Sequence, residues 1–257
     1  MPLREPRPRP VPWPQYSQRS RHSVFVPFLW IEYVWSWLSY LLGQWAFLEV
    51  LEYLGRFSVL IAVIFYFAES GDRQKQKHYQ AWQVINTSQG KGGSGGRIEA
   101  LHELNLDGVP LVGVDVSGAF LMGLHLDKGK LARANFDGVD GRYSSFHNAD
   151  CSYASFRTAN LRGSDFHKAN LQNAILKDAD LNGASLTEAE VEGADLSQAD
   201  LRGADLRAIR WQNIKTIRLT DVYGLKNAPT GFLDWALKNG AVSIEADDAW
   251  IAMLPPS

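Results

Sequence analysis

Five residues of the sequence are candidates for binding chemistry because they recur at multiples of twenty positions: Arg142, Arg162, Arg202, His147 and His167. Two imidazoles with Asp165 nearby are a partial set of zinc ligands, but two ligands are too few for a secure site. Arginines in a row suit an anionic partner, although regularly spaced charges are more often a solvated face. The pattern therefore predicts no metal site, and it makes these five residues candidates for an interaction surface.

The sequence contains no set of residues with the spacing of a catalytic site. Its single cysteine, Cys151, excludes an internal disulfide, and no Ser-His-Asp, Cys-His or paired zinc motif is present. The glycine-rich stretch 90–96 is not a phosphate loop, because Gly90-Lys91 is followed by Gly92 rather than by Ser or Thr. We therefore expect neither an enzyme nor a cofactor.

The element that must position these residues has a period of five. From Leu106 to Leu206 a large apolar residue, usually Leu or Phe, recurs at every fifth position, as in Ala-Asp-Leu-Arg-Gly at 199–203. This period fits neither a helix nor a strand. A fixed short period predicts a solenoid, in which each unit buries its apolar residue by stacking on its neighbours.

The unit Ala-(Asp/Asn)-Leu-X-X resembles the pentapeptide repeat family over about residues 100–215. The resemblance implies an all-β solenoid, a right-handed quadrilateral β-helix in which four pentapeptides form one coil. It also implies that the central residue and the residue two before it point inward. The centres from 106 to 206 then give about five coils, with N-terminal hydrophobic helices and C-terminal capping helices around them.

Residues twenty apart should stack in this fold. Phe136 and Phe156 form one such pair, and Phe146 and Phe166 form a second pair half a coil away. The two pairs should occupy opposite walls, and Cys151 should fill the core between them. Larger residues are expected to point inward beyond the last coil, with Trp211 as a lid, at Ile209, Ile214 and Leu219.

Composition divides the chain into six segments. Proline and arginine dominate the start, glycine dominates 90–96, and residues 229–239 read as a helix that caps the rod. The predicted domains are a disordered tail (1–23), a hydrophobic membrane-associated helical region (24–68), a juxtamembrane helix (69–89), a glycine-rich linker (90–96), the pentapeptide-repeat β-helix (97–221) and a C-terminal helical cap (222–257).

The segment 24–68 predicts a membrane contact, because it is apolar and rich in tryptophan and tyrosine. One pass, a hairpin and a helix lying in the interface all remain open, as does packing of the segment on itself or on a protein partner. Basic residues flank both ends, at Arg19, Arg21, Arg73, Lys75 and Lys77. Since positive charge marks the cytoplasmic side, we expect the repeat domain to be cytoplasmic.

Two functions fit these features. The first is a membrane-anchored, non-catalytic scaffold that binds an unknown protein through the outer faces of the β-helix. The second, which the family resemblance implies, is a soluble DNA mimic that binds gyrase or another topoisomerase through the acidic stretch 178–205. Direct nucleic-acid binding is not expected, because the formal net charge is −2. The resemblance also implies a homodimer through the C-terminal helices.

Overall fold

The computed structural model describes residues 8–17, 26–43, 46–68, 70–87 and 94–255. They fall into two compact units, Met1–Arg73 and Gln74–Ser257. The first unit contains helices α1 (Trp13–Ser17), α2 (Val26–Gly43) and α3 (Ala46–Ala68). Helix α4 (Ser70–Thr87) lies mostly in the second unit, which also contains α5 (Arg97–Leu106), α6 (Phe232–Lys238) and α7 (Asp247–Ile251).

Between α5 and α6 the chain forms a solenoid. Parallel single-residue β-bridges join positions twenty apart, from Asp115–Asn135 to Glu190–Arg210. Four bridges fall in every twenty residues, so each coil has four sides. We number the sides by their central residues: side 1 (Leu121, Gly141, Leu161, Leu181, Leu201), side 2 (Leu126, Phe146, Phe166, Leu186, Leu206), side 3 (Leu131, Cys151, Leu171, Val191) and side 4 (Val116, Phe136, Phe156, Leu176, Leu196).

Each side of the coil ends in a tight turn. The Ala119 N–H donates a hydrogen bond of 3.1 Å to the Val116 carbonyl, and Gly118, the third residue of this turn, has a φ of 64°. This is a type II turn, which needs a positive φ at that position. Other corners place Lys128 (φ 57°) or Asn148 (φ 55°) there. The corner position therefore accepts several residue types, whose side chains project from the edges of the solenoid.

The phenylalanine stacks predicted from the sequence are confirmed. The ring centroids of Phe136 and Phe156 lie 5.0 Å apart with nearly parallel planes, and those of Phe146 and Phe166 lie 4.8 Å apart. The two stacks meet edge to face, with Phe136 and Phe146 at 5.7 Å. All four rings are fully buried, so they fill the middle of the interior from two sides.

The first predicted repeat centre is wrong. Leu106 is the last residue of α5 and is 71% exposed, whereas Leu111 is buried and donates the first inter-coil hydrogen bond, to the Lys130 carbonyl. The α5 backbone forms helical hydrogen bonds and therefore cannot also pair with a coil. Helix α5 instead covers the open end of the first coil with Leu101 and Leu104.

Helix α4 extends this N-terminal cap. Its residues Ala81 and Ile85 belong to the same continuous buried cluster as Leu101 and the solenoid interior. The predicted glycine linker 90–96 lies mostly outside the described residues, and only Ser94, Gly95 and Gly96 are described.

The register shifts by one residue near the C-terminal end. Bridges there join positions 21 apart, beginning with Asp195–Thr216. The added residue makes Ile217 the next centre, so the prediction of an inward Leu219 is wrong. Leu219 takes the corner position with a φ of 59° and is partly exposed, while Thr220 points inward. Ile209 and Ile214 precede the shift and are buried as predicted.

The C-terminal end of the solenoid is closed by aromatic packing and by one added backbone segment. Trp211 lies 5.6 Å from Phe232 and 5.2 Å from Trp235, which confirms its predicted place as a lid. Val242 pairs with Asp221 through a parallel bridge, and Trp250 donates its indole N–H to the Leu219 carbonyl at 2.9 Å. The last coil is thereby covered by α6, by the backbone at Val242 and by Trp250.

The first unit combines two apolar helices with part of the proline-rich segment. The prediction of a disordered tail over 1–23 does not fit residues 8–17, since Trp13 and Tyr16 of α1 contact Tyr33 of α2. Residues 1–7 and 18–23 lie outside the described residues. No helix in the described part of the chain has both the length and the apolarity needed to cross a membrane.

We expect Phe146→Ala to lower the free energy of unfolding by about 3–5 kcal/mol, because it removes one ring from the middle of two contacting stacks. Phe120→Ala is the matched control, since Phe120 is 52% exposed and its truncation should change the stability by about 0.5 kcal/mol or less. Urea unfolding followed by circular dichroism measures both. Equal losses would contradict the placement of the stacks.

Candidate interaction surface

The candidate residues occupy two columns on neighbouring sides of the solenoid. Arg142, Arg162 and Arg202 each follow a centre of side 1, and His147 and His167 each follow a centre of side 2. The position after a centre is the second residue of the corner turn, and its side chain points away from the interior. The fold therefore brings the two histidines together and the first two arginines together.

Arg142 and Arg162 are each paired with an aspartate of the same side. Arg142 donates two hydrogen bonds of 2.8 Å to the two carboxylate oxygens of Asp140, which lowers the pKa of Asp140 and raises that of Arg142. Arg162 lies 3.2 Å from Asp180 and donates to Asn182 at 3.4 Å. These pairs leave part of each guanidinium exposed but balance its charge, so this column is not a bare anion site.

Arg202 does not belong to an exposed surface, and its prediction as an interaction residue is wrong. It is 8% exposed, donates to Asp200 at 2.6 Å, and its guanidinium carbon lies 5.6 Å from the centroid of the Trp250 ring. The residues after 240 fold back over this part of side 1 and cover it. A period of twenty alone cannot reveal this cover, because the covering residues lie outside the repeat.

The two histidines form a stacked pair. Their ring centroids are 4.8 Å apart and their planes differ by 18°. The backbone N–H of His147 donates to Asp127 at 3.2 Å, and that of His167 donates to Asp165 at 2.9 Å. Both carboxylates thus hold the backbone rather than a metal. Across the described ranges, no three His, Cys, Asp or Glu side chains are placed to share a metal ion.

Tyr143 is an exposed residue that the sequence reasoning missed. It is 67% exposed and lies at the corner between the arginine side and the histidine side, with a φ of 58°. A Cβ added at Gly163 would lie 2.9 Å from the Tyr143 ring, so this ring covers the next corner. The signal was present in the sequence, since the equivalent corner positions are glycine at 123, 163, 183 and 203.

We call these residues the Arg–Tyr–His surface: Arg142, Tyr143, His147, Arg162 and His167. It joins a tyrosine and two arginines, residue types enriched where proteins bind each other. The rings and guanidinium groups lie on the outside of two adjoining sides. The chemistry available to this surface is recognition through stacking and charge-assisted hydrogen bonds.

The acidic stretch 178–205 does not form one acidic face. Its eight carboxylates lie two on each of the four sides. Six of them lie within 4 Å of a basic group: Asp178 and Lys177, Asp180 and Arg162, Glu188 and Lys168, Glu190 and Arg210, Asp200 and Arg202, Asp205 and Arg207. The negative charge counted along the sequence is therefore dispersed and largely balanced in space.

Most aspartates before a centre have a structural task. The Asp180 carboxylate accepts the N–H of Asn182 at 3.0 Å, and Asp195 accepts the N–H of Ser197 at the same distance. Asparagine does the same, as between Asn170 and the N–H of Gln172. These side chains fix the residue that enters the turn, so an acid or amide at this position has a role in the repeat itself.

The interior of the described solenoid is filled with buried side chains. Cys151 is fully buried, and burial raises the pKa of its thiol, so it fills the core rather than acting as a nucleophile. The shallow depression on side 3 is lined by polar surface residues, among them Gln172, Glu190 and Glu192. In the described part of the solenoid, the side chains that another molecule could contact therefore lie on its outer surface.

We expect the stability of Asp221→Asn relative to the native protein to improve as the pH rises from about 3 to about 7. Burial raises the pKa of Asp221, whose Oδ2 accepts no hydrogen bond in the described structure and lies 3.7 Å from Arg202. The native state therefore holds this proton more strongly than the unfolded state, and the native protein loses stability as the pH rises through the raised pKa.

Asp140→Asn is the control with the opposite sign. The hydrogen bond from Arg142 lowers the pKa of Asp140, so its contribution to stability is present above the unfolded pKa and is lost as the pH falls through the folded one. The relative stability of this variant should therefore worsen as the pH rises. Chemical denaturation across this pH range measures both, and parallel pH profiles would contradict the burial of Asp221.

Comparison with known proteins places the repeats in a family. A family model described as pentapeptide repeats matches residues 142–178 and 174–209, with eight copies of the unit. No curated protein sequence matches significantly. A pentapeptide repeat protein from the cyanobacterium Cyanothece 51142 is 24% identical, with a TM-score of 0.37 over 50% of this chain and 95% of that one.

Two further solved structures show the same type of likeness. A pentapeptide repeat protein of the Arabidopsis thaliana thylakoid lumen is 23% identical, with a TM-score of 0.34 over 53% of this chain and 90% of that one. QnrB1, a plasmid-mediated fluoroquinolone resistance protein, is 17% identical, with a TM-score of 0.23 over 53% and 79%. The five-residue period, the bridges twenty apart and the match to the family model together identify residues 142–209 of this chain as pentapeptide repeats.

Proposed function

We propose that the chain is a non-catalytic protein–protein interaction scaffold that is attached to a membrane through residues 24–68. The observation that carries the scaffold is the filled interior, in which the central phenylalanines and alanines are buried side by side. A rod without an internal cavity has its outer side chains available for recognition. We take the solenoid to be a right-handed quadrilateral β-helix, as its four bridges per coil and the family resemblance favour.

The Arg–Tyr–His surface is the part of the rod that we assign to the protein partner. Tyr143 contributes a large exposed ring at little cost in conformational entropy. Arg142 and Arg162 sit beside it with their planes already held by Asp140 and Asp180. A guanidinium that is fixed in advance loses less freedom when it stacks on a partner.

The membrane attachment is supported by the apolar surface of the first unit. In α3 every residue from Phe57 to Tyr66 is exposed, and eight of these ten carry large apolar side chains. A helix that is apolar on all sides requires an apolar environment. With basic residues on both flanks of 24–68 in the sequence, we place the repeat domain on the cytoplasmic side.

The predicted homodimer through residues 222–257 remains part of the proposal. Leu233 and Leu237 of α6 are each 44% exposed, and Ile251 and Met253 are 59% and 49% exposed. These four side chains give the C-terminal cap an apolar outer surface that a second copy would cover.

Fractionation tests the attachment. The full chain should stay in the membrane pellet after high salt and then alkaline carbonate, because its contact is apolar. A chain that begins at Gln74 keeps the α4 side chains that pack on α5 and should be found in the supernatant. If the full chain is also released by carbonate, the membrane attachment is wrong, and a pellet that holds both chains would assign the contact to the rod instead.

The second candidate is a soluble, DNA-mimicking protein that binds gyrase or another topoisomerase. The eight carboxylates of 178–205 favour it, but a duplex carries one negative charge about every 1.7 Å along its axis, and six of these eight carboxylates have a basic neighbour. We therefore expect no inhibition of gyrase supercoiling by the chain beginning at Gln74. Inhibition that is lost on changing Glu190, Glu192 and Asp195 to the amides would establish the mimic.

A further inference from the structure

We propose that α2 lies in the plane of an anionic phospholipid surface, with one stripe in the lipid and the opposite stripe covered by residues 8–17. The inference rests on the proposed membrane attachment and names the helix, the face and the lipid chemistry that carry it. Four observations support it: the exposed apolar stripe of α2, the covered stripe on the opposite face, the length of the helix and the charge of the N-terminal segment.

The apolar stripe runs along the full length of α2. Its residues follow a spacing of three and four positions, which places them on one face of a helix. They are large, apolar and open to solvent, with exposed fractions of 72%, 50%, 63%, 40% and 39% for Phe28, Ile31, Trp35, Leu38 and Leu42. A continuous exposed stripe of this size marks a binding surface.

The opposite stripe of α2 is covered by the N-terminal segment. Tyr33 lies 5.2 Å from the ring of Trp13 and 5.4 Å from that of Tyr16, which is only 8% exposed. The Arg9 guanidinium carbon lies 5.6 Å from the centroid of the Trp37 ring. Pro8 to Val11 line a small cavity together with Ser36, Ser39 and Tyr40. The tyrosine and serine side chains of α2 thus face protein, and the lipid stripe is left free of them.

An apolar stripe on one face and a protein-covered stripe on the other favour a helix that lies in the membrane–water interface over a helix that crosses the bilayer. The 18 residues of α2 span about 27 Å, less than the ~30 Å hydrocarbon core. A crossing helix would also carry Ser36, Ser39 and the covering segment into hydrocarbon. Glu32 lies about 90° from the centre of the apolar stripe, where an in-plane helix places a side chain at the level of the headgroups.

The positive charge of the N-terminal segment favours binding to an anionic lipid surface. The first 21 residues contain five arginines, at 4, 7, 9, 19 and 21, and one acid, Glu5, so their side chains carry a net charge of +4. Arg9 is held against the covered stripe of α2, beside the helix that would lie in the lipid. Basic residues next to an embedded apolar surface favour anionic over neutral headgroups.

Vesicle binding by the full chain tests the inference. The probe is a sedimentation assay with phosphatidylcholine vesicles, with and without about 30% phosphatidylserine. Ile31→Glu with Leu38→Glu should weaken partition by at least about tenfold, since both charges enter the stripe. Val112→Glu with Met122→Glu is the matched control, because these rod residues are 54% and 55% exposed and the charge change is the same. It should bind like the native chain.

A second measurement reports the orientation directly and does not depend on the stability of the glutamate variants. Nitroxide labels on cysteines that replace Ile31, Trp35 and Leu38 in turn should show the same depth in the bilayer. The native Cys151 is fully buried and does not compete for the label. A depth that increases steadily from one label to the next would mean a tilted or crossing helix and would overturn the in-plane arrangement.

The outcomes separate this inference from the proposed function. Partition of the native chain that is unaffected by the Ile31/Leu38 pair overturns the role of α2 but leaves membrane attachment in place. Equal binding to both vesicle compositions overturns the anionic preference. Absence of the native chain from every vesicle pellet overturns both the inference and the proposed attachment. The inference is supported if vesicle binding is lost in the Ile31→Glu/Leu38→Glu variant but not in the control variant. Binding must also depend on phosphatidylserine, and the three labels must lie at one depth.

Discussion

The hydrogen-bond ladder between successive coils is the constraint on which the solenoid depends. The Phe136 N–H donates to the Ser155 carbonyl and the Asn135 N–H to the Val114 carbonyl, both at 2.7 Å. Because each bond joins positions about one coil apart, four units of equal length must close every coil. The five-residue period follows from this closure, and the buried Leu, Phe and Ala columns fill the narrow interior that the ladder defines. Helix α5 and the aromatic lid at Trp211 are then needed, since an uncapped coil would expose apolar core and unpaired backbone.

The same ladder limits which outward residues are free to acquire a function. An aspartate or asparagine before a centre holds the turn, as Asp165 does for the N–H of His167, so acids at this position report the fold rather than a partner. The residue after the centre and the corner residue have fewer structural duties. The residues of the Arg–Tyr–His surface come from these two positions. A count of charges along the chain is therefore a poor guide to the electrostatics of such a rod, because neighbours in space come from other coils.

Much of this fold could be predicted from the sequence, because a strict period turns sequence distance into spatial distance. The stacking of His147 on His167 and the phenylalanine pairs follow from a separation of twenty alone. The departures arise where the period ends or is broken. One added residue near Lys215 moves Leu219 from the interior to a corner, and the change is small enough to escape a pattern search. The burial of Arg202 depends on Trp250, a residue outside the repeat, so no internal regularity could indicate it.

The two units bury their apolar residues in different ways, and this difference bears on function. In the rod the apolar side chains are enclosed by the chain itself, with a few exceptions such as Phe120 and Met122. In α2 and α3 many large apolar side chains face outward, while the tyrosine and serine side chains of α2 are turned toward Pro8–Ser17. A sequence selected to fold alone in water would place these groups the other way round. The first unit therefore exposes its apolar side chains and the solenoid encloses most of its own, a difference that is consistent with the proposed anchor and scaffold.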